Sequence, residues 1–258
     1  MRTALAQISS TADPRANLEL AAAEIAAAAA AGARLLVLPE ATMCRFGVPL
    51  APVAEPRDGP WAGELERLAD EAGITVVAGA FTPGEGGRVR NTLLVRGAGV
   101  RASYDKVHLY DAFGFAESDT VEPGREPVVV DVDGVGVGLA TCYDVRFPGL
   151  FTALAERGAS VVVVAASWGA GPGKVEQWDL LTRARALDST CFVLACGQAD
   201  PGEPSEAPLG VGASRVVDPL GAVVAQLGPE PGRLVVDLDP AAVQRARAVL
   251  PVLANRRL

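Results

Sequence analysis

The stretch VGVGLATCYDVRFP, residues 135–148, places a cysteine directly after an apolar run and shortly before a predicted helix. Residues 135–140 are interpreted as a buried strand, and a helix is expected to begin near Phe147. Cys142 then lies on the turn at the carboxyl end of a strand, where α/β folds place reactive groups. Such a turn can expose a side chain and leave backbone N–H groups free behind it, which suits a nucleophile with an oxyanion site.

Alternating helices and strands extend from this stretch in both directions. Helices are predicted at 15–31, 61–72, 148–157, 176–188 and 241–249, and strands at 34–38, 74–81, 91–95, 100–104, 128–132, 135–139, 160–165, 191–196, 212–217, 222–226 and 234–238. The pair Asp133-Gly134 marks a hairpin between two of these strands, so the sheets are expected to be mixed. About a dozen strands are too many for one small sheet and predict an α/β fold with two packed sheets and helices outside.

Length and composition favour a single domain over residues 1–258. The chain is 50% hydrophobic and 21% charged, which is ordinary for a globular protein and excludes disorder and coiled coil. No linker-like segment divides it, and the Gly- and Pro-rich residues 200–209 are interpreted as a surface loop. The net charge of −8 argues against nucleic acid as a partner, because a phosphate backbone needs clustered cations.

The most apolar segment, residues 18–39, does not predict a membrane span. It is mostly alanine and is interrupted by Glu24, Gly32 and Arg34, a pattern that indicates helix, turn and strand. The four cysteines form no C-x-x-C pair, and a chain of this size does not need disulfides to be stable. We therefore expect a reduced, cytoplasmic setting.

Only two of the 23 basic residues are lysines, Lys106 and Lys174, and His108 is the sole histidine. One histidine excludes a multi-histidine metal site. A thiol nucleophile needs a group that takes its proton, and His108 is the first candidate for that base. It lies two residues after Lys106 in an extended segment, so both side chains point the same way. Glu40 also ends a predicted strand, at a comparable edge.

Glu40, Lys106 and Cys142 would bring a carboxylate, an ammonium and a thiol to one edge of the fold. Taken singly, they are equally compatible with a solvated charge, an ion pair and a small buried apolar residue. Cys191 and Cys196 lie at the two ends of a predicted buried strand and are interpreted as core residues.

Three segments resemble a known family. LPE at 38–40, DKVHL at 105–109 and TCYDVRFP at 141–148 are similar to the three signature segments of the nitrilase superfamily of carbon–nitrogen hydrolases, in that family's order and spacing. The resemblance covers essentially the whole chain, and it is strongest to the branch that holds omega-amidase and deaminated glutathione amidase. It implies a four-layer α-β-β-α sandwich of the nitrilase type, whose copies pair through a helix layer into a homodimer or a larger homo-oligomer.

The resemblance also implies roles for individual residues. Cys142 would be the nucleophile and Glu40 the general base. Lys106 and the backbone N–H of Tyr143 would stabilise the oxyanion, a task that suits a compact ammonium better than a guanidinium. Glu117 matches a second glutamate that helps to hold the substrate or the lysine. No metal or organic cofactor is implied.

The expected reaction is hydrolysis of the terminal carboxamide of a small, carboxylate-bearing metabolite to an acid and ammonia, through a cysteine thioester. His108 would then be structural. An N-carbamoyl amino acid hydrolase, a nitrilase, and a non-catalytic binding or scaffold protein on the same fold remain as alternatives.

One segment departs from the amidase branch. Residues 173–178 read GKVEQW, where that branch commonly has a Gly-Pro-x-His-Trp run, and they include one extra residue. Because this segment lines the substrate pocket in relatives, the departure bears on the substrate. Tyr143, Trp168 and Trp178 are candidate pocket walls, with core packing as the alternative for each tryptophan. Lys174 is a candidate partner for a substrate carboxylate, with a solvated loop cation as the alternative.

Overall fold

The computed structural model describes residues 1–202 and 209–257, so most of the predicted loop at 200–209 lies outside the described residues. The strands are β1 (Arg2–Gln7), β2 (Leu35–Val37), β3 (Thr75–Pro83), β4 (Val89–Gly97), β5 (Val100–Asp105), β6 (Asp111–Ala112), β7 (Phe115–Ala116), β8 (Val129–Val132), β9 (Val135–Thr141), β10 (Val161–Ala166), β11 (Phe192–Gly197), β12 (Arg215–Val217), β13 (Val223–Gln226) and β14 (Gly232–Asp237). The α-helices are α1 (Pro14–Ala30), α2 (Pro60–Ala72), α3 (Pro148–Glu156), α4 (Lys174–Ser189), α5 (Ala241–Val249) and α6 (Val252–Asn255).

The strands form two six-stranded mixed sheets and one short hairpin. The first sheet has the order β14-β1-β2-β3-β4-β5, the second has the order β13-β12-β11-β10-β9-β8, and β6 pairs with β7. Within each sheet three neighbouring strands are parallel, β1 to β3 and β9 to β11, and the outer pairs are antiparallel.

Three apolar layers hold the two sheets and the helices together. Along β2, Leu35 and Val37 point between the two sheets, whereas Leu36 points outward to pack with residues of α1 and α2. Along β10, Val161 and Val163 share the layer between the sheets, while the alternate residues pack with α3 and α4. Strands covered on both faces explain the continuous apolar runs in the sequence. The predicted four-layer α-β-β-α sandwich is confirmed.

The structure also contains elements that the sequence analysis did not predict. Strand β1 contains two alanines, a poor strand former, yet the small side chains of Ala4 and Ala6 pack with α1 while Leu5 faces the second sheet. The turn predicted at Cys142 is a 3₁₀ helix, Cys142–Arg146, which precedes α3. The strand predicted at 212–217 is shorter, because Gly212 and Ala213 both have left-handed backbone conformations. In the described part of the chain, no helix is both long and apolar enough to cross a bilayer.

Strands β2, β5, β9 and β10 end on the same side of the sandwich. The segments after β2 and β5 in the first sheet meet the segments after β9 and β10 in the second sheet, as the hydrogen bonds between them show. The topology therefore brings side chains that are distant in sequence to one end of the molecule.

Candidate active site

Glu40 lies on a tight turn directly after β2 and is almost completely buried. Its Oε1 accepts hydrogen bonds from Lys106 Nζ at 3.1 Å and from Asn91 Nδ2 at 2.7 Å, and its Oε2 accepts one from the Ser167 backbone N–H at 2.7 Å. Gly79 on β3 makes room for this turn, since a Cβ there would lie 2.8 Å from the Glu40 Cα. Both carboxylate oxygens are thus held in place.

Lys106 follows β5 and is also buried. Its Nζ donates to Glu40 Oε1 at 3.1 Å and to both oxygens of Glu117, at 3.1 and 2.8 Å. Burial by itself would lower the pKa of this lysine, but the charges of Glu40 and Glu117 outweigh that effect and hold the pKa well above its usual value. The side chain is therefore an ammonium.

Glu117 begins a short 3₁₀ helix, Glu117–Asp119, just after the β6–β7 hairpin. It is buried, and its Oε2 accepts a further hydrogen bond from the Tyr110 backbone N–H at 2.7 Å. Glu117 therefore connects the hairpin segment to Lys106.

Cys142 directly follows β9, and its thiol points toward the loop after β10, the neighbouring strand of the second sheet. Its φ of +46° is left-handed, a conformation that costs a non-glycine residue on the order of 1 kcal/mol. Its Sγ lies 4.0 Å from the carbonyl oxygen of Ser167, whose N–H binds Glu40. Burial, and then the negative charge of Glu40, raise the pKa of this thiol well above its usual value against the opposing charge of Lys106. The thiol is protonated at neutral pH, so it needs a base at the moment of attack.

Asp144 organises the same region, and the sequence analysis did not identify it. This fully buried carboxylate accepts hydrogen bonds from the Tyr104 hydroxyl at 2.6 Å and the Thr141 N–H at 2.8 Å. It also binds the backbone N–H of His108 at 3.0 Å and the His108 Nδ1 at 2.7 Å. Asp144 thus joins the segment after Lys106 to the residue before Cys142. The Thr141-x-x-Asp144 spacing of a capping box is a local signal that could have identified it.

The single histidine has contacts that fit a structural role. Beyond its bond to Asp144, the His108 ring stacks on Phe147 with centroids 3.7 Å apart and an interplanar angle of 7°.

Aromatic side chains pack together next to residues of this cluster. The ring of Tyr143 meets Tyr110 edge-on at 5.1 Å and Phe147 at 5.4 Å. Trp168 follows Ser167 directly and is 4% exposed, whereas Trp178 is fully buried and lies 5.3 Å from it. Trp178 is therefore a core residue that packs against Trp168, and it is not a pocket wall.

Lys174, the first residue of α4, is half-buried among aromatic rings. Its Nζ lies 4.9 Å from the centroid of Phe113 and 5.6 Å from those of Tyr110 and Trp168. The backbone carbonyl of Lys174 accepts a hydrogen bond from Trp168 Nε1 at 2.8 Å. These contacts place the ammonium near the ring of Trp168, the residue that follows Ser167.

A metal site does not emerge from this cluster. Over residues 1–202 and 209–257, no group of three or more His, Cys, Asp or Glu side chains could hold a metal ion.

Comparison with known proteins assigns the chain to a family. The profile of the family described as carbon-nitrogen hydrolase matches residues 2–248. The chain belongs to the carbon–nitrogen hydrolases. A protein of Mycobacterium tuberculosis (strain H37Rv) named hydrolase Rv0480c is 60% identical to this carbon–nitrogen hydrolase, over 99% of this chain and 95% of the relative. The deaminated glutathione amidase of Escherichia coli O157:H7 is 38% identical, over 93% of this chain and 91% of the relative.

A solved structure adds chemical detail. The amidase from Nesterenkonia sp. AN1, a member of the nitrilase superfamily, superimposes with a TM-score of 0.81 at 31% identity, over 97% of this carbon–nitrogen hydrolase and 95% of that chain. The matched structure is a variant showing covalent addition of the acetamide moiety of fluoroacetamide at its active-site cysteine. This hydrolase therefore shares its fold with amidases that use an active-site cysteine, and it acts on carbon–nitrogen bonds.

Proposed function

We propose that this carbon–nitrogen hydrolase cleaves the terminal carboxamide of a small, carboxylate-bearing metabolite to the acid and ammonia, with Cys142 as nucleophile. The observation that carries the proposal is the buried cluster in which Glu40 and Lys106 share a hydrogen bond beside a protonated thiol. Amide hydrolysis requires a nucleophile, a base and a group that stabilises the oxyanion. A thiol, a buried carboxylate and a buried ammonium can supply these three functions.

The first half of the reaction forms a thioester. Glu40 takes the proton of Cys142 as the sulfur attacks the amide carbon. The carbonyl oxygen becomes an oxyanion, which the Lys106 ammonium and the Tyr143 N–H stabilise. When the tetrahedral intermediate collapses, the carbon–nitrogen bond breaks and the proton on Glu40 passes to the nitrogen, which leaves as ammonia.

The second half returns the enzyme to its starting state. Glu40, again a carboxylate, takes a proton from a water molecule as that water attacks the thioester carbon. The carbon–sulfur bond breaks, the acid is released, and the proton returns to the Cys142 sulfur. The balance is one amide and one water consumed for one acid and one ammonia, with no redox partner and no cofactor.

Two cations beside the Trp168 ring are evidence for a carboxylate group on the substrate. Lys174 touches three aromatic rings, and the Arg146 guanidinium lies 5.2 Å from the Trp168 ring while donating to Gln177 at 2.6 Å. Within the described residues, neither cation forms a salt bridge with a carboxylate. Cations left without an anionic partner beside a reaction centre favour an anionic substrate group.

The test is a substrate panel with two readouts. Wild-type protein is incubated with ω-amides that carry or lack a carboxylate, including α-keto acid amides and a deaminated glutathione-like compound, and with ureido acids and nitriles. Ammonia release from amides, together with a transient acyl mass confined to Cys142, supports the proposal. Preferential turnover of ureido acids or nitriles would show that those compounds, and not amides, are the substrates. The absence of both adduct and turnover across the panel would favour a scaffold protein.

We also propose that the protein is a cytoplasmic homodimer. All four cysteines are free thiols, which suits a reduced compartment. Leu180 and Leu187, seven residues apart on α4, are exposed, and Leu187 lies next to Gly221, which follows the exposed Leu220. A second copy of this surface is the expected occupant, since a two-fold interface is self-complementary. Light scattering should give twice the chain mass of 26.5 kDa, and the Leu180→Glu variant should give a monomer; a monomeric wild type would refute the assignment.

A further inference from the structure

Asn91 lies on β4 in the middle of the buried charge cluster, and the family's signature segments do not include it. It is 1% exposed. Its Nδ2 donates to Glu40 Oε1 at 2.7 Å and to Glu117 Oε1 at 3.3 Å. Lys106 Nζ donates to the same two oxygens, at 3.1 Å each. Two donors and two acceptors therefore alternate around a closed ring.

The charges in this ring do not balance. Glu40 and Glu117 carry two negative charges against the single positive charge of Lys106, and the thiol of Cys142 is protonated. Two carboxylates in one buried site favour binding a proton, which would disable one of them as a base. A neutral amide with two N–H donors stabilises both carboxylates without adding charge or competing for the substrate.

The orientation of the Asn91 amide follows from its neighbours. Both facing atoms are carboxylate oxygens, so the amide nitrogen must point toward them. The Asn91 Oδ1 is consequently buried, and among the described residues it has no hydrogen-bond partner. The side chain is thus committed to donating to the two carboxylates.

The side chain is not needed to hold the strands together. The Asn91 carbonyl already accepts the Lys106 backbone N–H at 2.9 Å, and β4 pairs with β5 along its length, with Thr92 opposite Asp105. Backbone pairing therefore fixes the position of Lys106, and the Asn91 amide acts on the carboxylates.

We propose that Asn91 is a positioning residue that holds Glu40 and Glu117 on either side of Lys106 and keeps Glu40 ionised as the base. The inference rests on the proposed role of Glu40 in activating Cys142. It predicts that loss of the amide shifts the pH dependence of thiol activation, which a purely structural residue would not do.

The test compares Asn91→Leu with the matched control Asn17→Leu. Leucine has a similar size but no donors, and Asn17 is another buried asparagine whose Nδ2 donates to the Thr11 and Met43 carbonyls near α1. The rate of Cys142 alkylation by iodoacetamide is followed from pH 5 to 8 by mass spectrometry, and kcat/KM for an amide is measured over the same range.

For Asn91→Leu we expect kcat/KM to fall about 10- to 100-fold at pH 7, with the acid limb of both profiles moved up by about one pH unit. For Asn17→Leu we expect lower thermal stability and an unchanged acid limb. Asn91→Asp adds a third carboxylate, so its acid limb should move further. If Asn91→Leu does not fold, Asn91→Ser, which keeps one donor, should show a smaller shift in the same direction.

Failure of this inference is separable from failure of the proposed function. An acid limb that stays at its wild-type position in the Asn91 variants overturns the positioning role, even if activity falls. A wild type that hydrolyses no amide overturns the proposed function, and the alkylation profile, which needs no substrate, still decides the role of Asn91.

Discussion

Replacing Asp144 by asparagine tests whether this carboxylate joins the two halves of the site. Oδ2 accepts from the Tyr104 hydroxyl and the Thr141 N–H, and Oδ1 contacts the N–H and the Nδ1 of His108. Asparagine has one accepting oxygen, so its NH₂ group must face one of these two pairs. The Tyr104 hydroxyl can turn to accept a hydrogen bond, and a neutral histidine ring can move its proton, but a backbone N–H cannot adapt.

Either orientation of the new amide leaves one backbone N–H without an acceptor, either the buried N–H of Thr141 or the half-buried N–H of His108. A buried unsatisfied donor costs about 1–3 kcal/mol, and the remaining bonds lose their charged acceptor. We therefore expect the free energy of unfolding to fall by about 2–4 kcal/mol, which corresponds to a melting temperature lower by roughly 5–12 °C. Because Thr141 precedes Cys142, kcat should fall as well.

Denaturant unfolding and ammonia release are measured on Asp144→Asn and on the control Asp131→Asn. Asp131 is exposed, and among the described residues its side chain accepts only the Gly134 N–H, at 2.9 Å in a hairpin, a bond that an amide oxygen can replace. The control should change stability by less than about 0.5 kcal/mol. If Asp144→Asn unfolds like the control and keeps wild-type kcat, the four hydrogen bonds do not carry the role assigned to them.

Three further outcomes follow from the site. Glu40→Gln should fold normally and release ammonia about 10²- to 10⁴-fold more slowly, because it lacks a base. Ammonia release by this variant at the wild-type rate would contradict the role of Glu40. Amine acetylation at pH 8.5, mapped by mass spectrometry, should modify Lys174 and spare Lys106, whose pKa is raised; equal labelling would show that Lys106 is neither buried nor held as an ammonium. Lys174→Met should raise KM about 3- to 10-fold for amides with a carboxylate and leave KM for neutral amides unchanged, whereas equal effects on both would exclude carboxylate binding.

Sequence reasoning found the residues that stand at strand ends within recognisable segments. Glu40, Lys106 and Cys142 each follow a predicted strand, and hydrogen bonds show that the segments after these strands meet. Two packed sheets with helices outside could be predicted from the number of strands, whereas the four-layer sandwich of the nitrilase type was predicted from the family resemblance. The Ala-rich β1 was missed because its residues suit a crowded interior more than they signal a strand.

Other features depend on contacts that no local pattern encodes. Asn91 meets a carboxylate 51 positions away, and its neighbours along β4 give no hint of the charges it faces. The sequence did not distinguish Trp168 from Trp178 as pocket wall or core residue, and only tertiary packing shows that Trp178 is fully buried. The position of Lys174 among three rings required the hairpin and α4 to be placed together.

The most direct measurement is ammonia release from the best amide of the panel by Cys142→Ala, with Cys191→Ala as the matched control. Cys191 is buried just before β11, at the opposite end of the second sheet from Cys142. We expect Cys142→Ala to fold, form no acyl adduct and release no ammonia above background, while Cys191→Ala retains turnover. Undiminished ammonia release by Cys142→Ala would show that Cys142 is not the nucleophile.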